Sequence, residues 1–286
     1  MPHETSATNR YRATVEYDGA DFCGYQVQPG VRTVQFVLEA ALARLANLPE
    51  TASLRVVAAG RTDTGVHALG QEVAFDMPTP WELMELERAL NAVLPADVAA
   101  RRVRATEPDF HPRFHATARR YEYYICPRDP GPLRASRVWT PSIRPDPAIL
   151  REAAQRLLGR RAFDAFAKSG QPARGTECTI ERAEWSETGL GDLRFTIVAD
   201  RFLHHMVRYI VATLVDVAAA RRSLEDWSRL LHDGSGRPPE PAPPHALYLT
   251  GVRYRDGWNR DAGVPGLWPL EPAASFIGLE ELTEIS

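Results

Sequence analysis

Tyr11-Arg12-Ala13-Thr14-Val15-Glu16-Tyr17 is the stretch from which the fold of this chain is read, because the pattern it opens is met a second time further along. Tyr11, Ala13, Val15 and Tyr17 alternate with polar neighbours, which is the period of a strand with one face buried. Thr33 then offers an N-cap to a helix whose apolar face is Val34, Val37, Leu38, Ala41, Leu42 and Leu45, and Asn47 with Pro49 ends it. A short strand over 54–58, a loop rich in glycine and threonine, a strand over 71–76, a helix over 81–93 and a strand over 98–104 complete the order β-α-β-β-α-β.

Downstream the order recurs as a strand at 119–126, a helix at 147–158, strands near 178–185 and 193–199, a helix at 202–219 and a closing strand at 246–254. A further helix starting at Ser223 and a proline-rich connection over 237–244 are interposed. Each half matches the split β-α-β plan of a ferredoxin-like unit, so the expected fold is α+β, with a cleft between two related sheets where ligands commonly bind. The 286 residues suffice for two modest cores.

Composition narrows the function classes. With 44% hydrophobic and 25% charged residues the chain is ordinary for a globular protein, and no run approaches the roughly 20 apolar residues of a membrane span. The polar segment 1–10 has no apolar stretch after a basic start and reads as a frayed cytosolic tail rather than a secretory signal. Cys23, Cys126 and Cys178 are too few and too scattered for a disulfide framework or a clustered zinc site. The net charge of -3 argues against nucleic-acid binding over the whole surface. The positive charge is nevertheless uneven: Arg101, Arg102, Arg104, Arg113, Arg119, Arg120, Arg128, Arg134 and Arg137 are interleaved with Phe110, Phe114, Tyr121, Tyr123 and Tyr124. Guanidinium groups pair with phosphates and stack on bases, so this mixture suits RNA; the competing reading is an arginine bias of the whole chain, in which Lys168 is the only lysine.

The segment Ala59-Gly60-Arg61-Thr62-Asp63-Thr64-Gly65-Val66-His67-Ala68 holds the most chemistry. Flanking glycines permit tight turns, Thr62, Thr64 and backbone N–H groups can orient the Asp63 carboxylate, and Arg61 adds positive charge. Such a carboxylate serves as nucleophile, base or metal ligand, or simply caps a turn. The glycine spacing is that of a phosphate loop, but Val66 and His67 stand where Lys and Ser or Thr belong. Asp63-Thr64-Gly65 has no second copy, which an aspartic protease requires. His111 and His115 have a metal-like spacing that Pro112 spoils, and the adjacent His204 and His205 point apart if they lie in a helix. A structural or RNA-contacting role fits the latter pair better.

Taken together, these segments resemble the tRNA pseudouridine synthase A family, over about residues 11–254. The resemblance rests on Tyr17-Asp18-Gly19, Phe22, Gly24-Tyr25-Gln26, Gln28 and Arg32-Thr33-Val34-Gln35; on Gly60-Arg61-Thr62-Asp63, Gly65-Val66-His67-Ala68 and Gly70-Gln71; on Asn91, Leu94-Pro95, Phe110-His111, Arg113-Phe114 and Ala118-Arg119-Arg120-Tyr121; and on Phe202-Leu203, Met206-Val207-Arg208 and Ile210-Val211. It implies an extended, mostly antiparallel sheet with helices on one side, the pseudouridine synthase fold. The division it suggests is a flexible tail 1–10, an N-terminal half 11–107 bearing the catalytic loop, a C-terminal half 108–256 and an extension 257–286, loosely attached after Trp258.

For the site, the resemblance implies Asp63 as nucleophile, Tyr121 packing on the target base, Arg208 as ion-pairing arginine and Arg61 helping to extrude the nucleotide. The chain departs at Tyr25, where the family usually has Trp, and at His245-Ala246-Leu247, where His-Gly-Leu is usual; both bear on RNA grip and on the lining around Leu247 and Leu249. Isomerisation of uridine at positions 38, 39 and 40 of the anticodon stem-loop, no cofactor or metal, a cytoplasmic location and a homodimer spanned by tRNA are what the family implies. The rival expectation is a non-catalytic RNA-binding protein on the same scaffold.

Overall fold

In the computed structural model, which describes residues 9–49, 54–167, 175–234, 236 and 238–260, β1 (Asn9–Tyr17) alternates as its sequence requires. Tyr11, Ala13, Val15 and Tyr17 enter the main core, and Arg12, Thr14 and Glu16 face the other way. α1 (Val34–Leu45) follows, with Thr33 Oγ1 accepting from Phe36 N at 3.4 Å as its cap, then β2 (Val57–Ala58), β3 (His67–Met77), α2 (Leu83–Val93) and β4 (Val98–Ala105). The second half contains β5 (Ala118–Ile125), α3 (Pro147–Gln155), β6 (Gly159–Ala162), β7 (Glu177–Glu187), β8 (Leu193–Ala199), α4 (Met206–Ala218), α5 (Leu224–His232), β9 (Leu247–Tyr254) and β10 (Gly257–Trp258).

The strands form one sheet in the order β4-β1-β3-β9-β5-β8-β7-β6, with β2 beside β3 and β10 beside β9. Both halves obey the same rule. The first and third strands are neighbours, the fourth lies outside the first and the second outside the third, which is β4-β1-β3 flanked by β2 in one half and β9-β5-β8-β7 in the other. The duplicated ferredoxin-like order expected from the sequence is therefore present. Strand pairing is antiparallel except at the seam, where His67 and Ala68 of β3 pair in parallel with Tyr248 and Leu249 of β9.

Beside that seam β2 is short. One edge of β3 is shared: Val57 and Ala58 pair with Ala74 and Val73, while β9 takes the beginning of the strand. Residues 54–56, expected in the strand, do not pair with β3; the Val56 backbone is bonded to α1 instead, its N–H donating to Glu39 Oε1 at 3.0 Å and its C=O accepting from Gln35 Nε2 at 3.2 Å. The loop from Ala59 to Val66 consequently starts and ends where the two halves meet.

On the face opposite the main core, buried Glu72 accepts from Thr14 Oγ1 at 3.1 Å, Arg104 Nη2 at 2.9 Å and Asn259 Nδ2 at 3.0 Å, so its burial is compensated by donors. Asn259 and Arg260 fall within the extension expected to be loose, yet both are anchored, Arg260 through Nη1 to Glu16 at 2.6 Å and to Leu69 O at 2.9 Å. The rest of that extension, 261–286, together with 1–8 of the expected tail, Lys168 and Arg237, lies outside the described residues. Among the described residues no helix is long and apolar enough to cross a membrane. The three cysteines are free thiols.

α4 starts at Met206 rather than at 202. His205 sits at φ +64°, a left-handed backbone that a right-handed helix does not contain, and this ends the helix on its N-terminal side.

Candidate active site

The segment after β1 forms a cradle for the loop between β2 and β3. Tyr25 N donates to Thr62 O at 3.1 Å, Gly65 N to Phe22 O at 3.3 Å, and the Tyr17 and Thr62 hydroxyls share a hydrogen bond of 2.8 Å. Burial pushes the Tyr17 phenol up to about 12, so it stays protonated and available to Thr62. Gly24 makes the approach possible: its φ is +85°, and a Cβ there would stand 3.0 Å from Thr62 O and 3.3 Å from Thr64 N. The two sequence motifs around Gly24 and Asp63 are thus halves of one structure, the first supporting the second.

Held this way, Asp63 reaches into a cleft of about 850 Å³ with 17% of its side chain exposed. Arg208 Nη1 lies 3.5 Å from its Oδ2. The same guanidinium is anchored through Nε to Ala242 O at 2.7 Å, and Ala242 N returns a bond to Arg208 O at 3.1 Å. Tyr121, on β5, is buried beside the same space and meets Phe202 edge to face at 5.1 Å between ring centroids. Burial raises its phenol pKa, and the Asp63 charge pushes the same way, so the ring is neutral at physiological pH. Leu247 opens β9 opposite Tyr123, buried in the cleft wall, and Arg61 is exposed on the rim. All five residues expected in the site therefore line one cleft.

Charge is concentrated there. Arg55, Arg61, Arg113, Arg119, Arg201 and Arg208 line the cleft, against the acids Asp63 and Asp200 among the described residues. A chain of net charge -3 thus presents a cationic groove. The arginine-rich run between 101 and 137 is a different matter. Only Arg113 and Arg119 of that run line the cleft; Arg104 binds Glu72, Arg134 binds Asp192, Arg137 binds Asp18, and Arg120 lies over the Trp258 ring at 4.8 Å. Strands send neighbouring residues to opposite faces, so a cluster along the chain is not a patch in space. Arg55 and Arg201, which do line the cleft, stand outside that run.

A family model described as tRNA pseudouridine synthase matches residues 13–115 and 153–255. The chain belongs to this family. A tRNA pseudouridine synthase A of Bacillus licheniformis is 38% identical over 250 residues, covering 86% of this chain and 99% of that protein; that of Bacillus subtilis is 37% identical with the same coverage. The tRNA pseudouridine synthase A of Neisseria gonorrhoeae is 38% identical over 258 residues, covering 88% and 94% of the two chains. The pseudouridine synthases are isomerases, and the chain is an enzyme of that class. Arg61 and Asp63 fall in the first matched segment and Arg208 and Leu247 in the second, while Tyr121 lies between the two.

Two histidines complete the surroundings of Asp63 in this pseudouridine synthase. His204 Nε2 stands 3.3 Å from Oδ1 and His205 Nε2 3.6 Å from Oδ2. The sequence reading separated them because helical neighbours diverge, but both precede α4, and the left-handed His205 turns the pair toward the loop. Their ligand atoms and those of Asp63 lie within 4.8 Å of one another, a set that suits a transition metal such as zinc. His111 and His115 form no such pair: His111 Nδ1 accepts from Arg113 N at 3.2 Å, which makes it part of a turn, as expected for a loop histidine.

Behind the loop, His67 is a structural histidine of the synthase fold. Its Nδ1 accepts from Gly19 N at 3.0 Å, its Nε2 donates to His245 O at 3.1 Å, and its ring stacks on Tyr248 at 4.7 Å. Burial, with Arg137 nearby, lowers its pKa to about 4. Arg137 in turn holds Asp18 down to about 2.

Proposed function

We propose that this synthase isomerises uridine to pseudouridine in the anticodon stem-loop of tRNA, at positions 38, 39 and 40, with Asp63 as nucleophile toward a uridine flipped out of the stack. The observation that carries the reading is the Asp63 carboxylate, paired with Arg208 at 3.5 Å, beside Tyr121 in a cleft that six arginines line.

The reaction breaks the bond between sugar C1′ and base N1 and forms one between C1′ and C5. The C5 proton is lost and N1 gains a proton, so atoms and electrons balance without an oxidant, reductant or group donor. What the protein must supply is a nucleophile and a grip on a detached base. A carboxylate serves directly as a nucleophile, here at C1′ or at C6 of the base. Extruding the uridine costs a few kcal/mol. Stacking on an aromatic ring returns about 1–3 kcal/mol, a role for Tyr121, while Arg61 occupies the vacated space in the stem. Six arginines along the groove match the phosphates on either side. A homodimer with tRNA lying across both subunits and a cytoplasmic location complete the reading.

The test is tritium release from tRNA labelled at uridine C5. The wild-type chain releases tritium, and Asp63→Asn retains tRNA binding but releases none. Substantial pseudouridine formation by Asp63→Asn refutes the nucleophile, and a wild-type chain that binds tRNA without releasing tritium indicates an RNA-binding protein instead.

A further inference from the structure

Phe114 stands out among the cleft-lining residues as an exposed phenyl ring, with 56% of its surface accessible. Phe36 is equally exposed but belongs to α1 and does not line the cleft. The Phe114 ring lies against the His111 imidazole, with centroids 4.2 Å apart and planes tilted by 35°. Its position is built into the backbone: His111 Nδ1 accepts from Arg113 N at 3.2 Å and from Phe114 N at 3.4 Å, and His115 N donates to His111 O at 3.0 Å. Arg119 then ties this turn to the rest of the site, donating through Nη2 to Arg113 O at 2.7 Å and Ala59 O at 2.9 Å, and through Nη1 to Asp200 O at 2.8 Å. An apolar ring is thus held at the mouth of a cationic cleft by a turn fastened to the start of the Asp63 loop.

We propose that Phe114, backed by His111, is a stacking subsite for a nucleobase adjacent to the uridine being isomerised. The inference rests on the preceding reading that a flipped uridine enters at Asp63. A strand whose base is drawn into the cleft must run over its rim, where its phosphates meet Arg61 and Arg113 and its next base meets an aromatic face. Stacking of this kind tolerates any base, because every base has a π face.

The experiment uses a stem-loop RNA with 2-aminopurine next to the target uridine. Its fluorescence is quenched on stacking, and the Asp63→Asn background reads the subsite without chemistry. Quenching is expected with Phe114, lost with Phe114→Leu and regained with Phe114→Trp. In the otherwise native enzyme Phe114→Leu raises KM by about 5-fold to about 150-fold, with the larger part of the defect in KM rather than kcat. Unchanged quenching and KM in Phe114→Leu overturn the proposal. So does a Phe114→Leu chain whose sedimentation shows a changed oligomeric state, because the ring is then a subunit contact. Loss of tritium release in the wild-type chain sinks the catalytic reading instead, and leaves the quenching result to be read separately.

Discussion

Arg208 and Asp63 are 145 residues apart in the chain and 3.5 Å apart in space, guanidinium Nη1 to carboxylate Oδ2. Because Arg208 Nε is also bonded to Ala242 O, the guanidinium is held in place whether or not substrate is present. It therefore fixes the direction of the carboxylate, and the pairing is broken only if the α4 start or the Ala242 segment moves.

A hydrogen bond to a charged partner contributes about 1.5–3 kcal/mol, which converts to about 10-fold to about 150-fold in rate if Asp63 is the nucleophile, as proposed. Arg208→Gln, which removes the charge and keeps an amide donor, is expected to lower the single-turnover rate by that amount with a smaller change in KM. Single-turnover kinetics at saturating tRNA check this, and a rate equal to wild type shows that the ion pair does not act in the reaction.

The two histidines beside Asp63 predict sensitivity to transition metals. Zinc–ligand distances of about 2.0–2.1 Å in a tetrahedron put ligand atoms roughly 3.4 Å apart. His204 lies 3.3 Å from one carboxylate oxygen and His205 3.6 Å from the other, and the ligand atoms fall within 4.8 Å of one another, so side-chain rotation must close the set on the cation, which Arg208 opposes. Micromolar Zn²⁺ is expected to inhibit the enzyme by occupying Asp63, the proposed nucleophile, and a chelator to restore activity. His204→Ala raises the inhibitory concentration by about 10-fold or more, given the cost of losing one ligand. Inhibition curves identical in the two proteins place the metal elsewhere.

How far the sequence reached follows from what each feature depends on. β1 and α1 were legible because alternation and a Thr33 cap are local, and the duplicated order let the second half be read from the first. The meeting of Asp63 with Arg208 and Tyr121 was not local. It depends on how β3 divides its edge between β2 and β9, which no periodicity encodes, and it entered only through family resemblance. His204 and His205 were misjudged for a related reason: a non-glycine left-handed residue leaves no compositional mark, so apolar spacing extended the helix across it. β6 has no buried residue and no alternation, and gave nothing to find.

Gly24 offers a test of the cradle that leaves Asp63 and Arg208 unaltered. Its φ of +85° disfavours any side chain, and a Cβ would press on Thr62 O, one residue from Asp63. Gly24→Ala is expected to cost about 1–3 kcal/mol in urea unfolding. Its single-turnover rate should fall further than the stability loss explains, since the strain is relieved by moving the loop. Full activity in a destabilised Gly24→Ala protein shows that the loop does not depend on this support.

His67 predicts how stability varies with pH. Its side chain is 2% exposed and faces Asp18, Arg137, Gly19 N, His245 O and Tyr248, an environment built for the neutral ring. The folded pKa of about 4 lies below the unfolded value near 6.5. Between these values the unfolded chain binds a proton that the folded chain refuses, so stability is full above about pH 6.5 and declines as pH falls toward 4, by roughly 3 kcal/mol. Asp18 adds its own loss at lower pH: its folded value of about 2 lies below the ordinary 3.8, so its contribution is present above about 3.8 and disappears as pH falls toward 2. His67→Gln keeps a donor and an acceptor but does not titrate. It is expected to be less stable than wild type at pH 8, with a urea midpoint that varies less between pH 6.5 and 4. If the two proteins lose stability in parallel over that interval, the acid sensitivity arises from other groups, and the neutral His67 is not what links β3 to the segment after β1.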